Sequence, residues 1–128
     1  MKRSYLYRIL LAAIVVLGSS ATSNAVEWVA RSDLSVGDDS KLVTDLPTNG
    51  FVPIYSKVTV NENDELSVDV VYLKPLDVEW QYRRYDENTY ETKAAEFKEQ
   101  GFQLVSHQIY QYNAVTWHNA IWHKPKAK

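Results

Sequence analysis

Residues 78–83 read VEWQYR, and the same tripeptide opens residues 26–31, which read VEWVAR. Further landmarks recur along the chain in the same order, each displaced by 50 to 52 residues. They are Trp28 and Trp80, Arg31 and Arg83, Gly50-Phe51 and Gly101-Phe102, and Lys74-Pro75 and Lys124-Pro125. A spacing that drifts by one residue at a time is typical of a duplication with small deletions in turns. We therefore predict two tandem repeats, residues 26–75 and 78–125, which together form one compact domain, 26–128.

Both copies share one order of predicted elements. Each opens with alternating apolar residues, which is the period of a half-buried strand. A helix follows: in the second copy Asn88 is its predicted N-cap and Gly101 its left-handed stop, whereas Pro47 is expected to end the first helix early. Two strands joined by a turn complete each copy, around residues 61–65 and around Asn113-Ala114. The sequence thus predicts an α+β fold of two β-α-β-β repeats, with about six strands in one curved, mostly antiparallel sheet and both helices on one face.

The first 25 residues have the three parts of a secretory signal peptide. Lys2, Arg3 and Arg8 supply the positive start, and Ile9 to Leu17 form an apolar run of nine residues. Residues 23–25, Ser-Asn-Ala, supply the small residues of a cleavage site. A membrane-spanning helix needs roughly 20 apolar residues, so we expect cleavage rather than anchoring and no membrane attachment afterwards. The mature chain is therefore predicted to be periplasmic or extracellular.

The composition narrows the class of protein further. The first 25 residues hold three of the 14 Lys and Arg and no acid, so the remainder carries 11 basic and 16 acidic residues and a net charge of −5. This balance argues against nucleic acid as a partner. The sequence contains no Cys, which excludes thiol catalysis, thiolate metal sites and disulfides.

The second copy carries the clearest family pattern, in which a Trp and an Arg precede a helix, a Gly-aromatic pair and a hairpin ending Ala-Ile-Trp-x-Lys. The residues are Trp80, Arg83, Gly101, Phe102 and Trp122, and the first copy keeps Trp28, Arg31, Gly50 and Phe51. The pattern resembles the bacterial tandem repeat domain also found at the N-terminus of fungal polyglycine hydrolases. The resemblance implies a noncatalytic module that accompanies a separate serine hydrolase domain. This chain contains no Ser-x-x-Lys and no Gly-x-Ser-x-Gly.

All three histidines lie in the last hairpin. A two-residue turn at Asn113-Ala114 sets His107 opposite Ala120. His107 and His118 are then diagonal neighbours on one face, and His123 points the other way. Two imidazoles can share a metal ion, but a stable zinc site needs at least three protein ligands. We therefore favour hydrogen-bonded strand residues and predict no metal or other cofactor.

The segment Asn61 to Glu65, which reads NENDE, is dense in oxygen ligands. It lacks the Gly and the distal Glu of an EF-hand loop, so a hairpin turn is favoured over a Ca²⁺ site. The other acids fall in turns and on an exposed helix face, and no pair has a spacing that supports glycoside hydrolysis.

The two copies differ most in the last hairpin, where the second copy alone has Tyr110, Tyr112 and Trp117 on one sheet face. The opposite face is expected to form the core under the helices, with Val105, Ile109, Ala120 and Trp122. Aromatic side chains on an otherwise polar face suit the binding of a glycan, a peptide or an envelope protein. The alternatives are that a curved sheet buries these rings in its own interior, or that a second copy of the chain covers them.

Three functional hypotheses result. The leading one is an exported, noncatalytic binding or interaction module. The second is a small exported hydrolase or metal-dependent enzyme that uses His107 and His118. The third is a stand-alone accessory domain of a serine hydrolase encoded separately.

Overall fold

The computed structural model describes residues 5–11, as backbone, and residues 25–127. The elements are β1 Tyr5–Leu11, β2 Val26–Leu34, α1 Val36–Thr48, β3 Val52–Val60, β4 Leu66–Lys74, β5 Val78–Asp86, α2 Glu87–Glu99, β6 Gln103–Tyr112 and β7 Val115–Pro125. From β2 onward, each half of the domain has the predicted order of strand, helix, strand and strand.

The strands form two antiparallel sheets, so the expectation of one curved sheet is wrong. Strands β2, β4 and β3 lie in that order in the first sheet, which β1 extends beyond β2, and β5, β7 and β6 form the second sheet. Each helix packs against the sheet of its own half rather than on one shared face. The sheets stay separate because β3 contacts the second sheet through side chains and not through a backbone ladder.

The two halves repeat the same local irregularities. Gly50-Phe51 and Gly101-Phe102 follow the two helices, and both glycines have positive φ, 86° and 93°. A residue with a side chain would have a strained backbone in this region. A lysine near the end of the last strand of each half lies over the phenylalanine that follows the glycine, with Nζ 4.5 Å from the ring centroid of Phe51 for Lys74 and 5.7 Å from that of Phe102 for Lys124. These shared details support the interpretation of the first half as a copy of the second.

Both helices begin at a side chain that accepts a backbone hydrogen bond. Ser35 caps α1, and Asp86 caps α2 by accepting from the Thr89 N–H at 2.8 Å. The prediction that Asn88 is the N-cap is wrong, because the carboxylate of Asp86, at the end of β5, caps the helix two residues earlier. Pro47 lies in the last turn of α1 without shortening it, since both helices span 13 residues.

Two apolar clusters form the core. The larger joins the two halves and includes Leu42 of α1, Val68, Val70 and Tyr72 of β4, Tyr82 of β5 and Ile121 of β7. The smaller lies under α2 and contains Phe97, Phe102, Ala120 and Trp122. Val105 and Ile109, also expected in the core, are 45 % and 56 % exposed. They are exposed because β6 is an edge strand and α2 packs on β5 and β7 instead.

The predicted signal peptide, residues 1–25, lies mostly outside the described residues, and with it the proposed cleavage site. The backbone of Tyr5–Leu11 forms β1, which pairs with Val26–Ser32 of β2. Cleavage after Ala25 would remove this strand and leave β2 at the edge of the first sheet. Export remains a prediction. Neither helix in the described part of the chain has the length and apolar character needed to cross a membrane.

Candidate functional site

The two halves meet where the edge strand β3 lies across the second sheet. The polar contacts to the backbone of β3 are Gln108 with Val58, Ser106 with Ser56, and His123 with Pro53. Gln108 makes two of them, because its Oε1 accepts from the Val58 N–H and its Nε2 donates to the Val58 carbonyl, both at 2.7 Å. A free strand edge tends to pair with other chains, and here side chains of the other half satisfy it.

Two surfaces take part in this contact, and each half has one of each kind. The edge strip is Pro53, Ser56 and Val58 on β3, and its matched positions on β6 are Leu104, His107 and Ile109. The back face is the sheet face opposite the helix; in the second half it carries Tyr82, Gln108, Asn119, Ile121 and His123. The domain is held together by the edge strip of the first half against the back face of the second.

A buried polar network anchors the middle of this contact. Asp39 of α1 is 2 % exposed, and its carboxylate lies 2.5 Å from Nη2 of Arg84. The Tyr82 hydroxyl donates to the same carboxylate at 3.2 and 3.3 Å, so the Ser56 hydroxyl, 2.6 Å away, donates to Tyr82. Asn119 completes the chain by donating to Ser56 Oγ at 2.9 Å. Burial raises the pKa of Tyr82 far above its ordinary value, so the phenol stays protonated and able to donate.

Sequence reasoning missed this network. One signal for it was present: Asp39 occupies the position of Tyr90 on the apolar face of the helix, in register with Val43 and Leu46. A carboxylate on a face that otherwise packs on the core requires a buried cation or hydrogen-bond donors. Arg84 and Tyr82 supply both.

His107 and His118 come together as the hairpin register predicted. His107 Nε2 lies 2.8 Å from His118 Nδ1, and the Tyr90 ring stacks on both imidazoles, with centroids 4.9 and 4.1 Å away. Burial, and then the neighbouring His118, lower the pKa of His107. Glu87 Oε1 lies 3.8 Å from the buried Nε2 of His118, beyond hydrogen-bond distance. Within residues 25–127 no group of three or more His, Asp or Glu side chains is arranged to hold a metal ion.

The aromatic side chains singled out in the last hairpin share the face turned away from α2. Tyr110 lies opposite Trp117 and packs against the larger core cluster, and Tyr112 lies opposite Val115 near the turn. All three rings are half-buried. Burial raises the pKa of Tyr110, although the nearby Arg84 opposes the shift. Of the three rings, Tyr110 therefore adjoins the contact between the halves.

The residues of the repeat motif take part in the packing and hydrogen bonding of the fold. Trp122 is buried and packs its ring 4.7 Å from that of Phe97 under α2, while Trp28 and Trp80 are half-buried on the first strand of each half. Arg83 donates to the backbone carbonyl of Tyr82 at 3.2 Å. The segment 61–65 forms the predicted turn, with the side-chain carbonyl of Asn61 accepting from two backbone N–H groups.

An exposed apolar surface lies on the outer side of the second half. Leu104, Val105 and Ile109 are between 45 % and 56 % exposed on β6. Beside them is a groove of about 540 Å³ lined by Tyr90, Ala94, Lys98, Phe102, Leu104 and Trp122. We call the three β6 side chains and this groove the outer surface. The sequence did not indicate it, because the alternation of β6 reads as core.

The fold is an α+β domain of two halves that correspond element by element from β2 to β7. A family model described as "Polyglycine hydrolase-like, structural repeat" matches residues 79–125. That segment is similar to this structural repeat, as the resemblance implied. The match covers the second half, so a first repeat at 26–75 rests on the structural correspondence between the halves. Neither the curated proteins nor the solved structures provide a significant match.

Proposed function

We propose that this chain is an exported, noncatalytic interaction module that binds a protein partner through the outer surface of its second half. The observation that carries the proposal is the exposure of Leu104, Val105 and Ile109 on the edge strand β6, with a groove at Leu104. Several large apolar side chains exposed on one strand beside a groove are typical of a site that another molecule covers.

The chemistry of this surface favours a protein partner over a glycan. Its exposed side chains on β6 are aliphatic, whereas sugar rings are bound by flat aromatic faces. Of the aromatic residues that line the groove, Phe102 and Trp122 are buried, and the Tyr90 ring is stacked on two imidazoles. The aromatic candidates Tyr110, Tyr112 and Trp117 are half-buried, and Tyr110 packs against the core cluster that joins the halves. A peptide segment or a folded protein can cover branched aliphatic groups and pair with the adjacent edge strand β6.

The noncatalytic part of the proposal has separate support. The matched family is described as a structural repeat, and the sequence contains no Ser-x-x-Lys or Gly-x-Ser-x-Gly nucleophile motif. The imidazoles of His107 and His118 are engaged with each other and with the ring of Tyr90. These contacts support a packing role for the histidine pair.

Site-specific photo-crosslinking in the producing cells tests the binding surface. A photoreactive amino acid replaces Ile109 on the outer surface, and a control chain carries it at Gln111, an exposed position of the same strand. We expect a protein adduct from position 109 and none from position 111. The absence of any adduct at 109, with the chain present at normal levels, would overturn the proposal.

Export is tested by the intact mass of the chain purified from each cell fraction and from the medium. We expect the mass of a chain that begins at Val26, found outside the cytoplasm. A chain retained in the cytoplasm with residues 1–25 attached would contradict this part of the proposal.

A further inference from the structure

We propose that copies of this chain associate head to tail, with the second-half edge strip of one copy on the first-half back face of the next. The inference rests on the proposed function, because it names a partner for the same outer surface. The contact between chains would repeat the contact that already joins the two halves within one chain.

The edge strip is buried in one half and open in the other. The second sheet covers β3, so Ser56 and Val58 are each only 2 % exposed. At the matched positions of β6, His107 is exposed and Ile109 is 56 % exposed. The molecule therefore presents at one end the kind of surface that it buries in its middle.

The back face shows the opposite asymmetry. In the second half, Asn119 and Ile121 are fully buried against the first half. Their matched residues in the first half, Asp69 and Val71, are only half-buried. Tyr55 lies on the same face and is 44 % exposed. The first half thus has an open back face of the kind that receives an edge strip.

The two free surfaces are complementary in size. Each of four residues in the inner contact has a counterpart at the corresponding position of the other half, which lies at a free surface. The pairs are Tyr82 and Ala30, Arg84 and Ser32, Ser56 and His107, and Asp39 and Tyr90. Inside the chain, large back-face residues meet small edge-strip and helix residues. At the free surfaces two side chains are smaller and two are larger, so the larger edge-strip and helix residues offset part of the volume that the back face loses.

The hydrogen-bonding groups at the free surfaces are compatible as well. The inner contact sets Asn119 on Ser56, and the matched residues at the free surfaces are Asp69 and His107. Asp69 already accepts from the Asp33 N–H through Oδ1, and its carboxylate can accept a further hydrogen bond from a neutral imidazole. Lys57 stands where the inner contact has the bridging glutamine. The ammonium group of Lys57 can donate a hydrogen bond to a backbone carbonyl on the open edge of β6. Unlike the amide of Gln108, it cannot also accept one from a backbone N–H.

Such a contact joins two different surfaces, and each copy has one of each. A heterologous contact of this kind either closes into a ring or continues along a filament. A chain with either surface blocked therefore cannot associate with copies of itself, and two chains blocked at different surfaces can form only a pair. This property separates the proposal from a two-fold dimer, in which one surface meets itself.

Sedimentation velocity of the full chain tests the association. We expect the weight-average mass to rise at least about twofold as the concentration approaches about 1 mM. The variants Ile109→Glu, on the edge strip, and Tyr55→Glu, on the open back face, should each remain at the mass of one chain. Val115→Glu is the matched control, because Val115 is an exposed apolar residue at the hairpin tip, and it should associate like the parent chain.

An equimolar mixture of the two blocked variants gives the decisive result. The Tyr55→Glu chain keeps an intact edge strip and the Ile109→Glu chain keeps an intact back face, so the mixture should form a pair of chains and nothing larger. Circular dichroism identifies any variant that has failed to fold, and Ile109→Lys and Tyr55→Lys then replace it. A mixture that stays at one-chain mass, or a parent chain that stays monomeric, overturns the proposal.

The crosslinking experiment distinguishes the two levels of inference. An adduct at position 109 with a different protein, together with a monomeric chain, overturns self-association and leaves the interaction module standing. An adduct of two copies that disappears in Tyr55→Glu supports both. No adduct at all overturns both.

Discussion

The side-chain amide of Gln108 forms hydrogen bonds with both backbone groups of Val58, at 2.7 Å each. The residue therefore takes the place of a neighbouring strand on the open edge of β3. A strand edge without such a partner is a site of unwanted pairing. In this fold one glutamine both closes the edge and joins the two halves.

The first prediction concerns this pair of bonds. Gln108→Met keeps the side-chain length but leaves the Val58 N–H and carbonyl without partners inside the contact, so we expect a loss of about 2–4 kcal/mol in the free energy of unfolding. Gln111→Met is the control, because Gln111 is exposed and bonds only to Thr116; its loss should stay below about 1 kcal/mol. Urea denaturation measures both, and equal losses would show that the bridge contributes nothing specific.

The second prediction uses the matched glycines. Because Gly50 and Gly101 both have positive φ, replacing either by Ala should cost about 1–2 kcal/mol of unfolding free energy. Gly37→Ala is the control: Gly37 lies in α1, where an added Cβ would make an ordinary contact of 3.9 Å with Ser35 Oγ, and Ala there should leave stability unchanged or raise it by up to about 1 kcal/mol. Unequal effects at positions 50 and 101 would argue against matched repeats.

Some of the site was predictable because one short turn fixes a long register. The two-residue turn Asn113-Ala114 has positive φ at both positions, 52° and 61°, as a tight hairpin turn requires. Every pair across β6 and β7 near the turn is then determined by counting. The sequence therefore placed His107 opposite Ala120 and beside His118 correctly.

The arrangement of the sheets was not predictable in the same way. Apolar alternation indicates that one side of a strand is covered, but it does not indicate what covers it. On β3 the covering element is the other sheet, which buries Ser56 and Val58, whereas Ile109 at the matched position of Val58 is exposed. The polar network around Asp39 belongs to this long-range packing, so only the misplaced acid on α1 pointed to it.

The third prediction tests the ion pair inside the contact. Asp39→Asn leaves Arg84 in a mostly buried position without its counter-ion, so we expect a loss of about 3 kcal/mol in the free energy of unfolding. Asp38→Asn, on the exposed neighbour in the same helix turn, should cost less than about 1 kcal/mol. The double change Asp39→Asn with Arg84→Met should recover part of the loss, and a strictly additive double variant in urea denaturation would contradict coupling between the pair.

The fourth prediction is a pH dependence. Burial and the adjacent His118 lower the pKa of His107 in the folded chain. Above about pH 6.5, the ordinary value, the imidazole is neutral in both folded and unfolded chains and the full stability is present. As the pH falls below that value, the unfolded chain binds a proton first, so the free energy of unfolding decreases until the folded chain is protonated as well.

His107→Gln should therefore flatten the decline in stability between about pH 6.5 and pH 5, because it removes a group whose protonation favours the unfolded chain. Tyr90→Phe is the control, since it keeps both imidazoles and the stacked ring and should retain the parent slope. Urea denaturation at half-unit pH steps measures the three curves. Parallel curves for the parent and His107→Gln would show that neither burial nor the adjacent His118 disfavours the protonation of His107.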